Sequence, residues 1–114
     1  MPARLRVADP AAVAAALESR EPADLRLLVK HFLAVLAERA PGRSVEVRVP
    51  PYAAVQAVPG VRHTRGTPPA VVETDAETWI ALATGALSWA EAVDGGRIQA
   101  SGERAELAPY LPLS

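Results

Sequence analysis

The chain has no cysteine and no asparagine, a single lysine (Lys30), and only five aromatic residues: two Trp, two Tyr and one Phe. Without cysteine there is no disulfide, no thiolate nucleophile and no thiolate-bound metal. His31 and His63 are the only histidines and lie too far apart in sequence to read as a zinc pair, so no metal and no cofactor are expected. An excess of one charge is also missing: twelve basic residues face thirteen acidic ones. The basic footprint of a nucleic-acid binder is absent, and nucleic acid is not an expected partner. Nowhere do eighteen apolar residues run together, so no transmembrane segment is expected. The opening MPARLRVADP has no apolar stretch of the kind a signal peptide needs, and a soluble cytoplasmic protein is the default expectation.

What is present is a 114-residue chain that is 50% apolar, expected to form one domain over residues 1–114. Much of that apolar content is alanine. A core of Ala, Leu and Val packs thin unless something fills it, which suits either an internal apolar cavity or closely approached helices. Asp9-Pro10 places a cap before proline at a first helical position. The helix that follows offers Val13 and Leu17 as its larger apolar face and is broken at Glu21-Pro22. A second helix then repeats Leu25, Leu28, Val29, Phe32, Leu33 and Leu36 at spacings of three and four, the stripe of a core-facing helix ending at Pro41-Gly42. Residues 43–49 alternate, with Val45, Val47 and Val49 inward. Pro50-Pro51 turns the chain into a second strand over 52–58, paired antiparallel with the first. Val61 and His63 could form a short third strand, and Gly66 to Pro69 a turn.

The most strongly signalled stretch is Ala70 to Gly102. Val71-Val72 reads as a strand, and Thr74 or Asp75 caps a helix carrying Trp79, Ile80 and Leu82. Gly85 ends that helix. Ser88-x-x-Glu91 is a capping box for the next, which Gly95-Gly96 closes. Ile98 and Ala100 then alternate with Arg97 and Gln99 as a half-buried strand. Beyond it, Glu103 to Ala108 is expected to form one or two helical turns with Leu107 inward. Pro109 and Pro112 hold an extended tail that docks Leu111 and Leu113.

This order resembles the C-terminal half of the sterol carrier protein superfamily, the lipid-binding domain of sterol carrier protein type two. The residues that carry the resemblance are Val71-Val72-Glu73, Thr78 to Leu82, Gly85, Ala90 and Ala92, Gly95 to Ile98, and Ser101-Gly102 through Leu107. The chain looks closest to the short stand-alone bacterial branch, whose members carry a loop like His63-Thr64-Arg65-Gly66-Thr67-Pro68-Pro69. The resemblance implies an α+β fold with an apolar cavity between sheet and helices. It also implies non-catalytic binding or transfer of a lipid, sterol-like or other hydrophobic small molecule.

Candidate site residues each admit a plainer role. Arg62, His63 and Arg65 could hold the carboxylate or phosphate head of a ligand, since the guanidinium fork suits such groups. Equally, Arg65 could pair with Glu73 while His63 bonds a backbone carbonyl. Trp79 and Trp89 could be ordinary core aromatics, or could line a pocket with Leu17, Phe32, Leu82 and Leu87. Glu73 and Asp75 could form a carboxylate pair, but Asp75 is better explained as a cap. Ser88 and Ser101 lack a nucleophile-elbow context, and the glycines form no phosphate-binding fingerprint. An enzyme is not expected, His63 being the sole credible base.

The sequence therefore predicts an α+β fold: a four- to five-stranded, mostly antiparallel sheet with helices packed on one face. A hydrophobic ligand or lipid is the expected partner. The alternative is an accessory module that binds a protein partner with a filled core.

Overall fold

Asp9, with proline behind it, starts the first helix in the computed structural model, which describes residues 5–60, 69–102 and 105–114. The Asp9 carboxylate accepts from the amides of Ala11 and Ala12, opening α1 at Pro10–Ser19. Arg20 ends α1 in the left-handed conformation, at φ 56°. Its guanidinium Nη1 lies 3.8 Å from Glu77 Oε1 across the bundle. The next helix, α2, runs Pro22–Arg39, with Asp24 Oδ2 accepting from the Glu21 amide. Its apolar stripe is buried as the spacing requires: Leu28, Val29, Phe32, Leu33 and Leu36 are all shielded from solvent.

Four strands follow: β1 Val45–Val49, β2 Ala53–Ala57, β3 Ala70–Thr74 and β4 Ile98–Ser101. They lie in the order β2-β1-β3-β4. The β1–β2 hairpin is antiparallel, as the sequence suggests, and β3–β4 is antiparallel too. The central β1–β3 pairing is parallel, with Val45 opposite Ala70 and Val47 opposite Val72. Sequential pairing therefore stops at β2, and β3 crosses to the far side of β1. The expected third strand at Val61 and His63 lies outside the described residues.

Strand periodicity divides this sheet into two faces. Val45, Val47, Val49, Ala70, Val72 and Thr74 are buried on one. Glu46, Arg48, Gln56, Glu73 and Gln99 occupy the other, where Arg48 Nη2 meets Glu46 Oε1 at 3.1 Å. The fold is thus α+β with a mixed four-stranded sheet. Its last helices, α3 Ala76–Thr84 and α4 Trp89–Asp94, are joined by a link that Gly85 opens at φ 85°. Phe32 from α2 and Trp79 from α3 are both essentially unexposed in the core cluster with Val47 and Val72.

The chain ends differently from the sequence expectation. Leu107 is buried as expected, yet the helical turn is a 3-10 turn over Ala108–Tyr110, so Pro109 sits inside it. The tail then docks Leu113, whose amide donates to the Ala83 carbonyl at 2.8 Å, and the Ser114 amide reaches the same oxygen at 3.2 Å.

Candidate functional site

The C-terminus of α3, the start of α4 and the docked tail border a half-open pocket of about 410 Å³. Three local choices shape it. Gly85 adopts the left-handed conformation that ends α3, and the Pro112 ring lies at ordinary contact distance, 3.5 Å, from where a Cβ on Gly85 would stand. The Leu87 amide donates to the Ala81 carbonyl at 3.1 Å, folding the α3–α4 link back on the helix. Ser88 caps α4: its hydroxyl oxygen accepts from the Glu91 amide at 3.1 Å, while its own amide donates to Glu91 Oε1 at 2.9 Å.

The walls are mainly apolar. Leu82 forms the floor from α3, Leu87 and Trp89 the side towards α4, and Leu111 and Pro112 the side towards the tail. Ser88 is the polar side chain among the described lining residues, and its oxygen is engaged by the cap. The Ser88 backbone amide, with the Ser88 hydroxyl second, holds the neighbouring Glu91 carboxyl below its usual range. One negative charge therefore stands close to the pocket at neutral pH.

The sequence candidates separate into groups. Leu82, Leu87 and Trp89 come together on the pocket. Phe32 and Trp79 lie inside the packed layer between sheet and helices, with 1% and 0% exposure. Leu17 packs half-buried against the core from α1 and does not line the pocket. Arg62, His63 and Arg65 lie outside the described residues. The tail residues Leu111 and Pro112 were not candidates, although the leucines alternating around Pro112 mark a segment that must bury one side. Asp75 takes the capping role: its Oδ1 accepts from the Thr78 amide at 2.8 Å and its Oδ2 from the Thr78 hydroxyl at 3.0 Å.

A second depression, about 420 Å³, opens at the end of the sheet among Glu73, Asp75, Arg97 and Gln99. With Asp75 committed to its cap, this hollow holds no unengaged carboxylate pair. Among the described residues, no group of three or more His, Cys, Asp or Glu is placed to hold a metal ion. No helix is long and apolar enough to cross a membrane among those same residues.

Comparison with known families gives one result. The model of a family described as bacterial SCP ortholog matches residues 21–113. No curated protein matches the chain.

Proposed function

Because the chain belongs to the bacterial SCP ortholog family, we propose that it binds a lipid or other hydrophobic small molecule, without catalysis, in the pocket between α3, α4 and the tail. The observation that carries this reading is the convergence of Leu82, Leu87, Trp89, Leu111 and Pro112 on one cavity of about 410 Å³. That volume falls within the range of ordinary small-molecule sites, roughly 300–1,000 Å³. It suits one acyl chain or a compact ring system. Burial of apolar ligand surface supplies the driving force, at about 25 cal/mol per Å² removed from water. Transfer follows from the same arrangement, because a ligand held by apolar contacts leaves without breaking a covalent bond.

The test uses Trp89 as reporter. In a Trp79→Phe background Trp89 is the remaining tryptophan, and a pyrene-labelled fatty acid added at micromolar concentration should quench its emission saturably. Leu111→Asp and Leu87→Asp, which place a charge on the apolar wall, should weaken binding about tenfold or more. Native mass spectrometry of the freshly purified protein should show a co-purifying hydrophobe. If the probe does not bind, or both charged variants bind it as tightly as the parent, the pocket is not a ligand site.

A second reading has its own support. The layer between sheet and helices is filled by Phe32, Trp79, Leu33 and Val72, all at 1% exposure or less. Such a core fits an accessory module that binds a protein partner. Failure of the probe to bind directs the search there.

A further inference from the structure

One hydrogen bond ties the segment ahead of α1 to α2, and its acceptor can be titrated. The Ala8 amide donates to His31 Nδ1 at 2.9 Å, across 23 residues of sequence and in a partly buried setting. An imidazole nitrogen accepts only while unprotonated, so this bond fixes His31 as the neutral ring with its proton on Nε2. Phe32 packs edge-on against that ring, with centroids 4.8 Å apart. Adding a proton at Nδ1 turns the acceptor into a donor. Two N–H groups then face each other, and the Ala8 amide has lost its partner.

Little else among the described contacts holds these residues. Leu5 packs partly buried against the core, but Val7 is 42% exposed. Asp9, immediately after, is committed to capping α1. The segment also precedes the residues matched by the family model, which begin at Glu21.

We propose that Leu5 to Ala8 form a pH-released clasp, docked on α2 while His31 is neutral and released when its Nδ1 takes a proton. Burial lowers the pKa of His31 from its ordinary 6.5, and Glu38 partly offsets that. Charged groups on the surrounding elements are Arg6 and Asp9 on the arm, Glu18 and Arg20 on α1, and Glu77 on α3. Asp24, Arg26, Lys30, Glu38 and Arg39 lie on α2 itself. Of these, Glu38 is the one that acts on the ring. A base with a depressed folded-state pKa favours folding above its unfolded value. The contribution of the clasp is therefore complete well above pH 6.5 and is lost as pH falls from there through the folded-state value.

The test is amide exchange and two-dimensional NMR on the full chain between pH 7.5 and 4.5. The Ala8 protection factor, corrected for intrinsic exchange, should fall about five- to tenfold across the range, the loss expected for one partly buried hydrogen bond. The Ala8 resonance and the His31 ring proton should share one midpoint, below 6.5. His31→Asn places a non-titrating oxygen near the Nδ1 position and should keep Ala8 protected at pH 4.5. Constant protection in the parent chain, or an equal loss in His31→Asn, would overturn the clasp. Should the asparagine variant fail to fold, separate midpoints for Ala8 and His31 in the parent would overturn it alone.

Discussion

Gly42→Ala is expected to destabilise the fold by at least about 3 kcal/mol, the range of backbone strain combined with a clash that cannot relax. Gly42 lies at φ 154°, and a Cβ built there would sit 2.2 Å from the Val58 carbonyl oxygen and 2.7 Å from the Pro59 Cα. Those neighbours are backbone, so no side chain can swing aside. The Val58 segment is itself fixed. Its amide donates to the Ala40 carbonyl at 2.6 Å, and its carbonyl accepts from the Ser44 amide at 3.1 Å and the Ser44 hydroxyl at 2.7 Å. Val58 is a β-branched residue held at φ 71°, and those bonds are what hold it there. Pushing the two segments apart would break the bonds that anchor β1 and β2 to the end of α2. Gly96→Ala supplies the control: φ is 69°, but nothing lies within 4 Å of the added Cβ. It should cost about 1 kcal/mol from backbone strain alone. Urea midpoints for both variants, at unchanged m, measure the difference. Equal losses would mean that close approach is not why glycine stands at 42.

Trp79→Ala is expected to cost about 3–5 kcal/mol, whereas Trp79→Phe should cost less than about 1.5 kcal/mol. The side chain is completely buried within the core cluster, and truncation to alanine removes most of its contacts. Its indole Nε1, however, is buried without a hydrogen-bond partner among the described residues. A buried donor that makes no bond costs about 1–3 kcal/mol in desolvation. Phenylalanine removes that donor, and the relief offsets part of the smaller ring's packing loss. Denaturant melts of the two variants give the comparison. If phenylalanine proves nearly as costly as alanine, the indole N–H is making a bond that matters.

Local signals made much of this architecture readable. Asp9-Pro10, Ser88 to Glu91 and Gly85 each mark a helix boundary by chemistry confined to a few residues, and each sits where expected. The alternation of Val45, Val47 and Val49 fixed both a strand and its inward face. The partnering of β3 with β1 is another matter, because a parallel neighbour is chosen by the packing of distant segments and leaves no local trace. Helical spacing placed Trp79 and Leu82 on related turns of one helix. It could not say that Trp79 would enter the core while Leu82 reached a pocket wall. Leu111 and Pro112 became pocket residues through the bonds of Leu113 and Ser114 to Ala83, which bring the tail onto α3.

The parallel pairing at the centre of the sheet makes it a seam between two stretches of chain. On one side stand α2, β1 and β2, whose antiparallel pair is closed by a short turn; on the other stand β3, α3, α4 and β4, whose antiparallel pair is closed across two helices. Joining Val45 to Ala70 and Val47 to Val72 closes a loop of more than twenty residues, as does joining Val71 to Ser101, so both pairings carry a loop-closure cost that the β1–β2 hairpin does not. Two half-assembled units meeting at one interface should behave as one cooperative block once joined. Under native conditions the amides of β1 and β3 are then expected to exchange only through global unfolding. Those of β2 and β4, at the sheet's edges, should open more readily by local fraying.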